Sequence, residues 1–237
     1  MNTSLEQVLQ HPGIWRGDRL AQTGVDALPT GFAELDEQLP GGGWPRGALT
    51  EILLEREGIG ELRLLLPALA RVSEQSGWQA WVAPPHVPYA PALAVAGVRL
   101  KQLLVAKPQS AADAWWATEQ ALRSGACSAV LAWLSTPDER RMRRLQLGAE
   151  SGRAWGVLFR SASAAQERSP ATLRLRLEAT AHGLAVHILK RRGGHLSRPV
   201  MVDPYRIDGA RVSGRRASNL SVVSPSKEAA QAVQVIQ

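Results

Sequence analysis

The sequence predicts an α/β fold in which a mainly parallel sheet is flanked by helices and ends in a C-terminal antiparallel hairpin. A turn followed by a buried strand at residues 47–54 precedes a glycine-bearing loop at 55–60 and a helical pattern. Short apolar runs then alternate with amphipathic segments, which is typical of a parallel sheet covered on both faces. Residues 172–179 alternate with period two before a second strand at 183–189, and this pattern indicates the hairpin.

Local signals place each element. Thr30 is a candidate cap for a short helix near residue 31, and residues 39–47 form a multi-turn loop rich in glycine and proline. Between that loop and the hairpin the predicted strands and helices follow in chain order: a strand at 48–54, a helix at 61–75, a strand at 78–83, a helix at 89–96, a strand at 103–106, a helix at 111–123 capped by Ser110, a strand at 127–134, a helix at 138–146 and a strand at 155–159.

The chain divides into an N-terminal helix and arm (1–27), one α/β domain (28–208) and a flexible C-terminal tail (209–237). A length of 237 residues is enough for one full core. The glycines and prolines of residues 193–216 predict a loosely structured ending. The tail is expected to be disordered, and its segment 229–236 is either a frayed terminus or a strand or short helix that folds onto a partner.

Composition excludes several classes of protein. The apolar runs are too short to cross a membrane, and the first residues lack the pattern of a signal peptide. The single Cys127 rules out an internal disulfide and a cysteine-based zinc site. The five histidines show no ligand spacing, and no G-x-S-x-G elbow is present. We therefore expect a cytoplasmic protein with no metal and no cofactor.

Positive charge is concentrated in the second half of the chain. From residue 139 onwards there are 18 Lys/Arg against 7 Asp/Glu, whereas the preceding residues carry 10 against 14. Two basic clusters are candidates for contacts with DNA phosphates, the alternative being a solvated helix face and a strand end. Few aromatic residues lie among these cations, which argues against base stacking. The candidates are Arg140, Arg141, Arg143, Arg144, Lys190, Arg191 and Arg192.

The loop at 55–60 has the layout of a phosphate-binding loop but not its chemistry. In the motif G-x-x-x-x-G-K-[ST] the lysine contacts phosphate and the hydroxyl binds Mg²⁺. Anchored on Gly60, the motif places Glu55 at the first glycine, Glu61 at the lysine and Leu62 at the hydroxyl. At about 4 Å the repulsion between a carboxylate and a phosphate charge amounts to roughly 1 to 4 kcal/mol. We therefore expect no nucleotide binding and no catalysis.

Two glycines of this loop leave a choice of interpretation. Gly58 and Gly60 are either the remains of an anion cradle at a helix N-terminus or simply a tight turn between strand and helix. The acidic neighbours Glu55, Glu57 and Glu61 favour the turn.

The eight tryptophans outnumber the other aromatic residues. Because Trp115 and Trp116 are adjacent, both cannot be buried on one helix face, and one of them is a candidate interface residue. The tryptophans on or beside predicted strands are expected in the core: Trp78, Trp81, Trp133 and Trp155.

Residues 28–190 resemble the RecA-like fold. The segment 29–36 is similar to the one with which RecA leads into its domain, and residues 41–47 followed by Glu51 and Ile52 resemble the approach to its phosphate loop. The strand near residues 80–86 lies where RecA-like ATPases carry a catalytic glutamate, and here that position is Pro85.

A second part of the resemblance concerns the Walker B strand, which binds the metal ion in RecA-like ATPases. Residues 123–125 and then 130–134 look like the segment leading into this strand. Trp133, or Leu134 after a shift of one residue, stands at the aspartate position. The resemblance therefore implies that all three catalytic elements are replaced, and that the chain is not an enzyme. In RecA-like proteins the loops after these strands face DNA, which adds residues 161–170 to the DNA-binding candidates.

The residues most closely resemble the ImuA family of translesion-synthesis accessory proteins, which are RecA-like and are grouped with the SulA cell-division inhibitors. The features that carry this resemblance are residues 28–35, the triple glycine before Trp44 and Pro45, the strand at 130–134 and the hairpin. It implies a DNA-damage (SOS) response protein that works in a mutasome with RecA, an ImuB-type polymerase-like partner and, indirectly, an error-prone replicative-type DNA polymerase, with DNA as a further candidate.

Two other functions stay open. The chain is alternatively a SulA-like division inhibitor that binds FtsZ, or a DNA-stimulated ATPase with an unorthodox loop. In an ATPase, Arg56 or Arg63 would have to replace the missing lysine.

Overall fold

The structure is a computed structural model that describes residues 26–75, 77–134, 138–193, 198–207, 210–211 and 234–236. Its architecture is mixed α/β with a large, mainly parallel sheet, as the sequence predicts. The predicted N-terminal helix and most of the predicted tail lie outside the described residues. The proposed domain boundaries stay predictions.

The elements follow one another in the predicted order. The strands are β1 (Ala27–Leu28), β2 (Trp44–Pro45), β3 (Ala48–Leu54), β4 (Trp78–Val82), β5 (Leu103–Ala106), β6 (Cys127–Trp133), β7 (Trp155–Ser161), β8 (Leu173–Thr180), β9 (Gly183–Lys190), β10 (Val200–Val202), β11 (Arg206–Ile207), β12 (Ala210–Arg211) and β13 (Gln234–Ile236). The helices are α1 (Ala33–Asp36), α2 (Glu61–Glu74), α3 (Ala90–Val95), α4 (Ala111–Arg123) and α5 (Glu139–Gly152), with 3₁₀ turns at Leu100–Gln102 and Ala162–Gln166.

The main sheet has the strand order β10-β9-β8-β3-β7-β6-β4-β5-β13 among the described residues. Strands β8, β3, β7, β6, β4 and β5 pair in parallel. The predicted hairpin is confirmed, because β9 runs antiparallel to β8. Parallel strands end at the same edge of a sheet, so the segments that follow β3, β6 and β7 lie side by side at the carboxyl edge.

Strand β3 is buried along its whole length because helices cover both faces of the sheet. Ile52 faces the core that α2 covers, where Leu64 and Leu69 are fully buried. Leu49 faces the opposite core, which α4 and α5 cover. Burial on both faces explains why apolar residues occupy both faces of the strand that the sequence predicts.

Helix α5 is longer than predicted. It ends at Gly152 rather than at residue 146, because its apolar stripe continues to the buried Ala149. Its last turn lies against α4, and a Cβ on Gly152 would be 1.9 Å from the carbonyl oxygen of Leu122. Glycine therefore allows the two helices to approach closely. The predicted Ser110 cap of α4 is confirmed, since its side chain accepts a hydrogen bond from the amide of Asp113.

The ending is more ordered than the sequence suggests. Within the segment 193–216, predicted to be loosely structured, β10 adds an antiparallel strand to β9. Val200 and Val202 are buried against the sheet, and three residues are too few for a clear pattern in the sequence. At the other edge, β13 pairs in parallel with β5 of the same chain.

Candidate functional site

The loop between β3 and α2 lies at the carboxyl edge of the sheet. Gly58 has φ +78° and Gly60 has φ +112°, and side-chain-bearing residues rarely adopt such values. These two glycines let the chain reverse between strand and helix with their amides available to a single acceptor.

That acceptor is the side chain of Glu61, the first residue of α2. Its Oε1 accepts a hydrogen bond from the Gly58 amide at 2.8 Å, and its Oε2 accepts one from the Gly60 amide at 3.0 Å. Glu61 is only 6% exposed. In a phosphate-binding loop such amides bind the anion. Here the chain's own carboxylate satisfies them.

The loop is also covered from outside. A Cβ on Gly60 would lie 3.5 Å from the ring of Pro204 and 3.7 Å from the hydroxyl of Tyr205. The guanidinium of Arg63 lies 4.8 Å from the centre of the Tyr205 ring, a cation–π contact. Leu62 packs against the core.

An aromatic surface lies beside this loop. Trp133, at the end of β6, stacks on Phe159 of β7 with a centroid distance of 4.5 Å and an interplanar angle of 17°. Trp81 of β4 lies 6.1 Å from Trp133. Trp133 and Phe159 line a cavity of about 500 Å³ together with Arg56 and Arg160. The position at which the resemblance places a metal-binding carboxylate is therefore apolar.

A buried ionic network below this cavity was not predicted from the sequence. Glu51 of β3 is fully buried and binds Arg160 of β7 at 2.9 Å and Arg174 of β8. Arg160 also pairs with Glu167, and Arg174 donates to the carbonyl oxygen of Ala164. Burial alone would lower the pKa of Arg160, but its hydrogen bonds to Glu51 and Glu167 and their charges raise it.

The sequence does contain a signal for this network. A glutamate in the middle of an apolar strand and arginines on adjacent strands indicate a buried ion pair. Because Arg174 also binds the carbonyl of Glu167, the network holds residues 162–167 on the sheet. These residues belong to the candidate segment 161–170.

The arginine cluster of α5 is largely paired with acids. Arg141 pairs with Asp138 at 3.3 Å, and Arg143 pairs with Glu139 at 2.8 Å. Arg144 pairs with Glu119 of α4 at 2.7 Å. In the part of the chain that the structure describes, Arg140 has no ion pair.

The second predicted cluster is divided between two cavities. Lys190 donates to the carbonyl of Ser169 at 2.8 Å, and it shares a cavity of about 500 Å³ with Arg143. Burial and the charge of Arg174 lower the pKa of Lys190, and the charge of Glu51 partly opposes this change. Arg191 and Arg192 line a different cavity. Lys190 of one cluster and Arg143 of the other therefore line the same cavity.

The tryptophans divide as follows. Trp81 and Trp155 are in the core, and Trp133 is half-buried. Trp78 was expected in the core but is exposed, because it is the first residue of β4. Trp115 is buried, whereas Trp116 is 65% exposed. Trp116 is thus the member of the pair that is free to meet a partner.

The described residues contain neither a membrane-spanning helix nor a metal-binding cluster. No helix among them is long and apolar enough to cross a membrane. No group of three or more His, Cys, Asp or Glu among them is arranged to hold a metal ion.

Comparison with known proteins identifies two kinds of relative. Residues 47–156 match the family model described as Cell division inhibitor SulA. SulA of Edwardsiella piscicida is 40% identical over 99 residues, which is 41% of this chain and 59% of that protein. RecA of Symbiobacterium thermophilum is 36% identical over 118 residues, or 48% of this chain and 33% of that protein. RecA of Chlorobaculum parvum is 38% identical over 132 residues, or 54% and 37%.

A solved structure of SulA from Pseudomonas aeruginosa has 27% identity and a TM-score of 0.41, covering 47% of this chain and 97% of that one. The chain spans 59% of the length of the SulA relative and about a third of the RecA relatives. Residues 47–156 therefore match the SulA family model in a chain that has both SulA and RecA relatives, and this pattern is consistent with the resemblance to the ImuA family.

Proposed function

We propose that this chain is a non-catalytic, RecA-like accessory protein of the SOS response that acts in translesion DNA synthesis by binding other proteins. The SulA and RecA relatives support a role in the response to DNA damage, either as an accessory protein or as a division inhibitor. The translesion role, the ImuB-type partner and the error-prone polymerase rest on the resemblance to the ImuA family.

The observation that carries the non-catalytic part is the position of the Glu61 carboxylate. The carboxylate accepts hydrogen bonds from the backbone amides of Gly58 and Gly60, so a nucleotide phosphate would have to displace the carboxylate to reach them. Leu62 supplies no oxygen for Mg²⁺, and Trp133 stacks on Phe159 where a carboxylate would be needed. Each of these features opposes nucleotide binding independently of the others.

RecA is the first partner of this proposal. A relative of RecA that lacks nucleotide chemistry can present one protomer face to a RecA filament without taking part in the nucleotide-coupled cycle. Such a protein would cap or modify the filament. The candidate contact residue is Trp116, whose side chain is 65% exposed on α4.

The second candidate is a division inhibitor that binds FtsZ. The match of residues 47–156 to the SulA family model favours it. The two functions predict different partners, so they can be separated directly.

Sedimentation velocity with the full chain tests both. We expect a complex with RecA, measured with and without single-stranded DNA, and no complex with FtsZ. The absence of a RecA complex under both conditions would contradict the accessory role. Binding to FtsZ, together with filamentous cells on overexpression, would establish the division inhibitor instead.

A further inference from the structure

A cavity at the amino edge of the sheet is unrelated to the loop at 55–60. It has a volume of about 260 Å³ and lies where β3 and β8 begin, at Ala48 and Leu173. Gln146 and Glu150 of α5 form another wall. The cavity is therefore at the opposite end of β3 from the loop at 55–60.

Three arginines from two distant segments converge on this cavity: Arg46, Arg191 and Arg192. The side chain of Arg46 is only 26% exposed, and its nearest acid is Asp26 at 3.9 Å, which is itself 75% exposed. Arg191 is held in place by a hydrogen bond to the carbonyl of Gln38. Burial lowers the pKa of Arg191, and a bound anion would act in the opposite direction.

The cavity is also lined by two acids, Asp26 and Glu150. Glu150 accepts a hydrogen bond from Nε2 of Gln146 at 2.8 Å. Oε1 of Gln146 accepts a hydrogen bond from the backbone amide of Leu49 at 3.1 Å. This pair therefore ties α5 to β3. Asp26 pairs with Arg46 but is itself largely exposed, and in the described part of the chain Arg192 makes no ion pair. The lining carries three guanidinium groups against two carboxylates.

We propose that this cavity binds a phosphate monoester group. Guanidinium groups bind phosphate through paired hydrogen bonds, and three of them suit a dianion better than a single carboxylate. The volume is just below the roughly 300–1,000 Å³ of sites for drug-sized ligands, so it accommodates a phosphate with part of its ester but not a nucleoside triphosphate. The group belongs either to a small molecule or to the 5′ end of a nucleic-acid strand, and the test separates the two.

Calorimetric titration of the full chain at constant ionic strength tests this site, with inorganic phosphate, ribose 5-phosphate and acetate as probes. We expect both phosphates to bind at roughly millimolar concentration and acetate to bind more weakly. Arg46→Gln and Arg192→Gln should each weaken phosphate binding about tenfold. Arg71→Gln, at an exposed arginine near the end of α2 and outside the cavity, should leave it unchanged. Circular dichroism verifies that each variant is folded. Because Arg192 is exposed, Arg192→Gln still tests the site if Arg46→Gln does not fold.

A second arm compares oligonucleotides that differ only in a 5′-phosphate or a 5′-hydroxyl. Tighter binding of the phosphorylated strand, lost in Arg192→Gln, assigns the site to strand ends, whereas equal binding assigns it to small phosphate esters. Failure of the wild-type chain to bind either phosphate at about 10 mM, binding of acetate equal to that of phosphate, or an equal loss in Arg71→Gln would overturn the proposal. The result is independent of RecA binding, so this proposal and the proposed function fail separately.

Discussion

Arg174 on β8 donates to Glu51 on β3, although 123 residues separate them in the chain. Both side chains are almost excluded from solvent. Together with Arg160 they join three adjacent strands, β7, β3 and β8, under the carboxyl edge of the sheet. An ionic network in this position couples the packing of the sheet to the segment after β7.

Removing the central charge of this network should destabilise the fold. We expect Glu51→Ala to lower the free energy of unfolding by about 3 to 5 kcal/mol, because it leaves two buried arginines without their shared acid. Glu178→Ala is the matched control, since Glu178 is 55% exposed where it pairs with His187 and should cost about 1 kcal/mol or less. Urea unfolding measures both. Equal effects of the two substitutions would show that the network contributes no more than a surface pair.

The loop carboxylate should not be the only obstacle to nucleotide binding. We expect Glu61→Lys to bind no fluorescent ATP analogue with Mg²⁺, because the side chains of Leu62 and Trp133 still supply no oxygen that could bind the metal ion. Glu61→Gln should lower the free energy of unfolding by about 1 to 2 kcal/mol, since an amide accepts only one of the two loop hydrogen bonds.

The same assay examines the ATPase hypothesis. If the wild-type chain hydrolyses ATP and Arg56→Gln or Arg63→Gln abolishes turnover, the protein is an enzyme with an unorthodox loop. Arg71→Gln is the control, because Arg71 is exposed near the other end of α2. Absence of binding at about millimolar nucleotide in the wild-type chain would agree with the non-catalytic proposal.

The adjacent tryptophans of α4 separate stability from partner binding. Trp116→Ala should change the free energy of unfolding by about 0.5 kcal/mol or less and weaken the complex with RecA or the ImuB-type partner. Trp115→Ala should cost about 3 to 5 kcal/mol, because Trp115 is only 6% exposed. Sedimentation and urea unfolding give the two readouts. Unchanged binding by Trp116→Ala to every partner would exclude this side chain from the interface.

Direct DNA binding, where it occurs, should depend more on Arg140 than on its paired neighbours. Arg140→Gln should weaken binding to single-stranded DNA and reduce the slope of log K against log salt by about 0.7, the value for one phosphate contact. Arg143→Gln should have a smaller effect, because Arg143 already pairs with Glu139. Fluorescence anisotropy across a salt series measures both. A wild-type chain that does not bind DNA at about 50 mM salt would restrict both clusters to protein contacts.

The buried thiol should make stability depend on pH at the alkaline side. Burial raises the pKa of Cys127, and a hydrogen bond from Ser124 partly lowers it again. The unfolded chain therefore loses this proton first, so the contribution of Cys127 is constant below about pH 8.5 and decreases as pH rises further. We expect wild type to lose stability relative to Cys127→Ser between pH 8 and 10.

Iodoacetamide should react slowly with the native chain and rapidly in guanidinium, and equal rates would contradict the burial of this thiol.

The order and type of most elements could be predicted from the sequence alone. Strand β3 and helices α2 and α4 follow from apolar periodicity and from a cap such as Ser110, which are properties of neighbouring residues. The mismatch of Glu61 and Leu62 to the phosphate-loop motif is also visible in the residues themselves. The sequence does not predict the three-residue strand β10, because so short a segment shows no recognisable apolar periodicity.

The tertiary structure decided which groups meet. Only the packing of α2 against β3 places the Glu61 carboxylate on the amides of Gly58 and Gly60, and only the pairing of β3 with β7 and β8 places Glu51 between two arginines. Likewise, the sequence shows a cluster of arginines on α5, whereas the approach of α4 gives Arg144 its acid. Local sequence determines the elements because backbone preferences and periodicity act over a few residues. Contacts across a hundred residues depend on strand register and helix packing, which the whole chain determines together.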